Sequence, residues 1–409
     1  MPSFTKMPLT RRRSALALCA LTAAIVAGAL PAAASANPSQ IAIIQDGGAT
    51  ATPATTIPEM RALGATTIRI FLPWSLIAPD YSAKRKPRFN ATDPGAYPAA
   101  NWAPFDAAIK QAAADHMNVD LTVGGGAPVW GEGPGIPSAD RLSQGYAWKP
   151  NVNDFGQFVT AAGKRYSGHY QGLPRVRFWA IYNEPNFGQD LGPQMVNNTR
   201  TPYAPMAFRN LLNAGWNALS RTGHGHDTIV WGEFAAHGSA VTTPFNSRHL
   251  HVPGDYGQTK PLQFLRIVYC LDSNYRPLRG AQAKVVGCPT TGRASRSFRS
   301  RNPALFKASG VSDHPYANTL SPVKDGRSDP NFATFPNLGR LATALDRATR
   351  AYGARPRFPL YNTEYGYITD PPHPRIREGR YPSPATAAYY INWAEYLSYK
   401  NPRVKSYMQ

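Results

Sequence analysis

The sequence predicts a (β/α)8 barrel, an α/β fold of the TIM type, on two observations. Eight short apolar runs alternate with helical patterns along the 409 residues. Most of these runs are continuously apolar, as expected of parallel strands covered by helices. A doubly wound sheet is the competing arrangement. Its phosphate fingerprint is absent, because Gly124-Gly125-Gly126 is followed by Pro128. Neither a Walker motif nor an internal repeat is present.

The expected strands are 41–45, 67–72, 119–123, 176–182, 228–231, 311–314, 358–362 and 404–408. Helices are expected between them. Trp102–His116 carries Phe105, Ile109 and Ala113 on one stripe, and Asn153–Tyr166 carries Phe155, Phe158, Val159 and Ala162. Pro205–Ser220 places Phe208, Leu211, Leu212 and Trp216 together, and Leu338–Tyr352 does the same with Leu341, Leu345 and Ala348. Ser383-Pro384 is an N-cap followed by proline at the first helical position, starting a helix to about Tyr399. The sequence stops at Gln409 on the eighth strand, so the barrel reads as truncated before an eighth helix.

Residues 1–36 are set apart as a cleavable export signal. Arg11-Arg12-Arg13 precedes the apolar run Leu16–Leu30, and Ala34-Ser35-Ala36 fits an A-x-A cleavage site. The paired arginines before Ser14 also suit twin-arginine export. At about 15 residues the run is shorter than the ~20 needed to span a bilayer, so no stable membrane anchor is expected. The protein is expected to be secreted, with residues 37–409 forming one catalytic domain.

Two cysteines remain after the signal, Cys270 and Cys288. In an exported chain the pair reads as a disulfide. They lie in a long insert at about 234–310, rich in Pro, Gly, Arg and Ser, expected to be an elaborated loop near the active-site face. Net charge is +20, and Lys6, Arg11, Arg12 and Arg13 leave with the signal, giving 20 − 4 = +16. Nine Lys/Arg face the single Asp272 between Arg266 and Lys307. A basic surface attracts nucleic acid, anionic wall polymers or acidic sugars. No nucleic-acid motif accompanies it, so no nucleic-acid partner is expected, and an arginine-rich composition without a selected partner is the leading account of the charge.

In this fold the carboxyl ends of strands carry the chemistry. The fourth expected strand runs into Tyr182-Asn183-Glu184-Pro185-Asn186, and the seventh into Asn362-Thr363-Glu364-Tyr365-Gly366. Two carboxylates facing each other across one barrel are the parts that acetal hydrolysis needs: one protonates the leaving oxygen and the other attacks the anomeric carbon. In a retaining enzyme the two carboxyl groups stand about 5–5.5 Å apart.

Asn-Glu-Pro after the fourth strand with a glutamate after the seventh resembles the clan A glycoside hydrolases from about Ile41 to Gln409, most closely the cellulase-like family 5 and family 39, which includes β-xylosidases. The resemblance implies Glu184 as acid/base and Glu364 as nucleophile, with Asn183 on the sugar 2-hydroxyl. It implies that Arg69 keeps the nucleophile ionised and that His314 and Tyr316 stand beside it, with Tyr316 orienting Glu364. No cofactor is implied. The partner is a carbohydrate substrate, here a β-linked oligo- or polysaccharide cleaved by double displacement.

Other acids compete for these roles. Glu233 follows Trp231-Gly232 and Glu132 follows the third strand, but neither has the Asn-before, Pro-after context; Asp46 ends the first strand and is a candidate sugar contact. Trp74, Trp130, Trp148, Trp179 and Tyr365 lie near strand ends, and flat rings stack on sugars. Trp74 and Trp130 are taken as substrate-binding, whereas Trp179 precedes its strand end and is the first candidate for core. The histidines at 224, 226, 237, 249 and 251 lack a metal-ligand pattern, so no metal is expected, and His224-Gly225-His226 reads as a turn. G-x-S-x-G is absent, which disfavours an α/β-hydrolase. A carbohydrate- or cell-wall-binding barrel without catalysis would keep the cleft and the basic insert, and a transglycosylase would use the same residues. The sugar, the linkage, endo or exo action and the oligomeric state are not written in the sequence.

Overall fold

A computed structural model describes residues 39–135, 147–195, 201–238, 258–325, 329–370 and 381–408. The expected signal at 1–36 and residues 239–257 of the insert lie outside these. Eight parallel strands close into one barrel in sequence order. They are β1 (Ile41–Ile44), β2 (Thr67–Leu72), β3 (Asn118–Val123), β4 (Phe178–Ile181), β5 (Thr228–Ala235), β6 (Gly310–His314), β7 (Leu360–Asn362) and β8 (Val404–Met408). β1 closes the ring by pairing Ile41 with Ser406 and Ile43 with Met408.

The strand sequences explain the layering. On β2, Ile68, Ile70 and Leu72 join the large cluster between sheet and helices. Arg69 lies on the same strand between them, and side chains alternate across a sheet, so it points into the barrel. Ile43, Phe178, Ala180, Val230, Tyr361 and Met408 form a second cluster inside the barrel. The interior is thus apolar in one layer and polar around Arg69.

Seven helices follow the first seven strands: α1 (Pro53–Ala62), α2 (Ala99–Ala114), α3 (Val152–Arg165), α4 (Ala204–Leu219), α5 (Pro261–Val268), α6 (Leu338–Arg350) and α7 (Pro384–Tyr399). The expected helices become α2, α3, α4, α6 and α7 within a few residues at each end. The Asn151 side chain caps α3 by accepting from the backbone N–H groups of Asn153 and Asp154. Ser383 caps α7 by accepting from the Thr386 N–H at 3.2 Å. α1 was not expected: PATTIPEMRA buries only Ile57 and Met60, too few apolar positions to make a stripe. None of the described helices is long and apolar enough to cross a membrane.

Two expectations need correction. β5 continues to Ala235, so Glu233 lies within the strand rather than beyond it. The irregular register between Trp231 and Phe234 begins at Gly232. That residue has φ +122°, and a Cβ there would stand 2.5 Å from the Ser312 carbonyl oxygen, so only glycine fits.

The described part of the insert is helical rather than a loop, and it packs against the outer wall of the barrel. α5 packs between α4 and α6 as the barrel's fifth helix. Cys270 lies just past α5, and Cys288 follows Gly287, whose carbonyl accepts from Arg209 in the second turn of α4. The Cys270–Cys288 disulfide is formed, with Cα atoms 5.6 Å apart. Four short helices, Gly280–Val285, Gly292–Arg296, Phe298–Arg301 and Ala304–Lys307, then lead to β6. Phe298 stacks on Tyr352, just past α6, with ring centroids 4.5 Å apart, which fixes this segment against α6.

Candidate active site

Arg69 organises the carboxyl end of the barrel. It is 1% exposed, and its five N–H donors are all used. Nε donates to Thr122 Oγ1 at 3.1 Å. Nη1 donates to Gln45 Oε1 and, at 2.8 Å, to Glu364 Oε1. Nη2 donates to Asn183 Oδ1 at 2.8 Å and to Glu233 Oε2 at 2.7 Å. One guanidinium therefore binds residues from the ends of β1, β3, β4, β5 and β7. A rigid planar fork can hold such a set where a lysine could not.

Two further side chains converge on Glu364. Tyr316 OH donates to Glu364 Oε2 at 2.9 Å. His314 Nδ1 stands 3.3 Å from that same oxygen and 3.1 Å from Glu184 Oε1, while Nε2 is 3.9 Å from Glu233 Oε2. One oxygen of Glu184, one of Glu364 and a His314 nitrogen all lie within 4.8 Å of one another. Both carboxylates keep access to solvent, with side chains 15% and 20% exposed, while His314 and Glu233 are fully buried.

The electrostatics differ from group to group. Burial alone would raise the Glu364 carboxyl, but the His314 and Arg69 charges and the Tyr316 hydrogen bond hold it below the usual carboxylate range. Burial opposes charge on Glu233 too, yet Arg69 and His314 bring it down to about 2. Burial would lower His314, but the Glu364 charge and hydrogen bonding to Glu184 and Glu233 raise it to about 10, so the ring is an imidazolium at neutral pH. Asp120, adjacent to Arg69 in the β2–β3 register, is pushed up to about 8 by burial and by Glu233.

The backbone is strained here as well. Tyr182 (φ +73°), Glu184 (φ +33°) and Glu233 (φ +42°) all occupy left-handed conformations. Such residues cost about 1–3 kcal/mol each and persist where the surroundings over-determine them. Tyr182 is held by its hydroxyl donating to the Asp190 carbonyl at 2.9 Å. The Glu233 N–H donates to Ser312 Oγ at 3.0 Å.

Glu184, Glu364, Asn183, Arg69, His314 and Tyr316 are thus brought into one constellation. Trp74 and Trp130 are not part of a sugar platform and must be corrected. Trp74 is 2% exposed and stacks on Phe158 at 6.2 Å, with Trp130 edge-on at 5.4 Å. Trp130 is also buried and donates its indole N–H to the Pro79 carbonyl at 3.1 Å. Their rings fill the space between β2 and α3 because the short helix Trp74–Ile77 turns back onto the barrel wall. Trp148, Trp179 and Tyr365 are equally buried. Asp46 accepts from the Gly48 N–H and starts a helical turn, and Glu132 accepts from the Trp148 N–H at 3.1 Å. His224 is buried between Asp227 and the Gly163 carbonyl; His249 and His251 lie outside the described residues.

Reading the sequence weighed Glu233 only as a competing acid and missed Gln45, Thr122 and Asp190. Glycine inside a strand marks a bulge, so Gly232 could have drawn attention to Glu233. Asp190 accepts from Asn183 Nδ2 at 2.9 Å, and nothing in its neighbourhood signals that role. Glu184, His314 and Glu364 also have the spacing of a metal-ligand trio. The positive charge on His314 removes its lone pair, and Arg69 already holds Glu364, so the trio is poorly suited to a cation.

No family model matches the chain, and no curated protein matches it in sequence. Solved structures do. A β-glucosidase from Thermotoga maritima in complex with castanospermine superposes with a TM-score of 0.50 at 12% identity, over 91% of this chain and 88% of that one. A family 39 glycoside hydrolase from Bacteroides cellulosilyticus WH2 gives 0.48 at 15% identity, over 92% of this chain and 57% of that one. An endo-1,4-β-D-mannanase from Thermotoga petrophila RKU-1 gives 0.44 at 12% identity, over 90% and 87%. The chain spans just over half the length of the family 39 structure. At these identities the likeness is one of fold: the chain is a (β/α)8 barrel of the kind on which glycosidases are built.

Proposed function

We propose that the protein is a retaining glycoside hydrolase acting on a β-linked oligo- or polysaccharide, with Glu184 as general acid/base and Glu364 as nucleophile. One observation carries the reading: two solvent-reaching carboxylates approach within 4.8 Å, and only one of them is bound by Arg69 and Tyr316. That spacing suits double displacement, whereas an inverting pair stands about 6.5–9.5 Å apart to admit a water.

Glu364 attacks the anomeric carbon and forms a glycosyl ester as the bond to the leaving oxygen breaks. Glu184 gives that oxygen its proton, then takes one from the water that cleaves the ester. His314 lies between the two carboxyl groups and carries the positive charge they share. Asn183 donates one amide hydrogen to Asp190 and has its second free for the sugar 2-hydroxyl. Export fits a disulfide-stapled chain, and the expected signal at 1–36 supplies the route.

The test is hydrolysis of a panel of aryl β-glycosides and polysaccharides, with a 2-deoxy-2-fluoro glycoside used to trap the intermediate. We expect a covalent adduct on the peptide containing Glu364 and none in Glu364→Gln. Native protein no more active than Glu184→Gln and Glu364→Gln across the panel would leave a carbohydrate-binding barrel instead.

A further inference from the structure

The segment between the disulfide and β6 carries an unbalanced charge. Residues 273–309 contain eight Lys/Arg and no Asp or Glu. All eight are exposed, and none pairs with a carboxylate among the described residues. An ordinary solvated surface intersperses both signs. Here Arg293, Arg296, Arg299 and Arg301 follow one another on the short helices Gly292–Arg296 and Phe298–Arg301.

The layer beneath these cations is rigid. Cys270–Cys288 closes the segment covalently. Arg209, 4% exposed, reaches from α4 and donates to the carbonyls of Ile267, Val268, Val286 and Gly287. Tyr269 OH donates to the Leu305 carbonyl at 2.6 Å, and Tyr352 OH to the Tyr269 carbonyl at 2.7 Å. Phe298 is buried on Tyr352. A fixed base holding charged tips in water pre-organises a cationic face, so little ordering is left to occur on binding.

We propose that this cationic stretch on the barrel's outer wall is a docking surface for a carboxylate-bearing linear polysaccharide, which tethers the enzyme. The choice of a glycan rests on the hydrolase reading above. Six of the eight cations are arginines, and the guanidinium fork pairs bidentately with carboxylates. Nucleic acid fits less well. The helices are only four to six residues long, too short to lie along a groove. No aromatic ring of the segment is open for base stacking: Phe298 and Phe306 are buried, and Tyr275 lies between Arg266 and Arg347.

Binding of the full chain to immobilised polygalacturonate, measured across a salt series, tests this. The variant is Arg293→Gln/Arg296→Gln/Arg299→Gln/Arg301→Gln. The control of equal net charge is Lys84→Gln/Arg85→Gln/Arg88→Gln/Lys110→Gln, and thermal melts check that both fold. We expect the variant to lose about tenfold or more in affinity at low salt, with a shallower salt dependence, while the control stays within about twofold. Equal losses in variant and control, absence of binding by the native protein, or tighter binding to duplex DNA than to polygalacturonate would each overturn the proposal. Repeating the measurement with Glu364→Gln separates tethering from hydrolysis, since that protein should bind as the native one does even if the hydrolase reading fails.

Discussion

Arg69 and Glu233 form an ion pair of 2.7 Å inside the barrel, with side chains 1% and 0% exposed. Neither was brought there by the other alone. Glu233 also accepts from Thr122 Oγ1 at 3.2 Å, and Arg69 also holds Glu364. The pair spaces Arg69 between two carboxylates, one buried and one open to substrate. Removing Glu233 therefore differs from removing Arg69. Arg69→Met strands a buried Glu233 charge and should destabilise the protein by about 3–5 kcal/mol. Glu233→Gln/Arg69→Met removes both charges and should recover part of that. Urea unfolding of the two single variants and the double variant measures the coupling, and strictly additive costs would show that the pair is not a unit.

Tyr316→Phe removes one hydrogen bond from Glu364 and leaves the ring in place. That bond helps to hold the Glu364 carboxyl low, so its loss raises the pKa. A nucleophile must be ionised, and activity falls as pH drops through its pKa. The acid limb of the kcat/KM profile should therefore move to higher pH in the variant. Hydrogen bonds to charged groups are worth about 1.5–3 kcal/mol, so kcat should fall by roughly ten- to a hundredfold. An unmoved acid limb with reduced kcat would assign Tyr316 to sugar binding instead.

Asp190 fixes the Asn183 amide from one side while Arg69 fixes it from the other. Asp190→Ala should let the amide turn and weaken its grip on the 2-hydroxyl, lowering kcat about tenfold with a smaller change in KM. Asp190→Asn keeps an acceptor oxygen and should recover most of the activity. A 2-deoxy substrate should be turned over about equally by native protein and Asp190→Ala, because the lost contact is no longer available to either.

Much of this was legible in the sequence because the signals were local. Glu184 and Glu364 end apolar strands, and Arg69 is a cation within one, so both patterns follow from the two-residue strand period and the barrel's habit of placing chemistry at strand ends. The pairing of Glu233 with Arg69 and the role of Asp190 were not legible, because they depend on a bulge and on a loop that folds back over β4. The tryptophans misled for a physical reason: a ring after a strand can face the cleft or the helix layer, and which it does depends on how the next few residues turn. The stapled insert misled similarly: its Pro, Gly, Arg and Ser content suggested a loop, whereas its described part folds as α5 and four short helices.

The placement of the disulfide makes a prediction that separates stability from catalysis. The Cys270–Cys288 bridge closes a span with a sequence separation of 18. By loop-closure entropy such a bridge contributes about 3 kcal/mol. Cys270→Ser/Cys288→Ser should lower the melting temperature by several degrees, and the loss should be the same at pH 5 and pH 8 because no titrating group is removed. The bridge sits outside α4 and α5, whereas the active-site constellation lies inside the barrel, so kcat and KM well below the melting transition should be unchanged. Initial rates measured beside thermal melts check both statements. A variant that lost activity while keeping its melting temperature would show that the bridged segment communicates with the catalytic site.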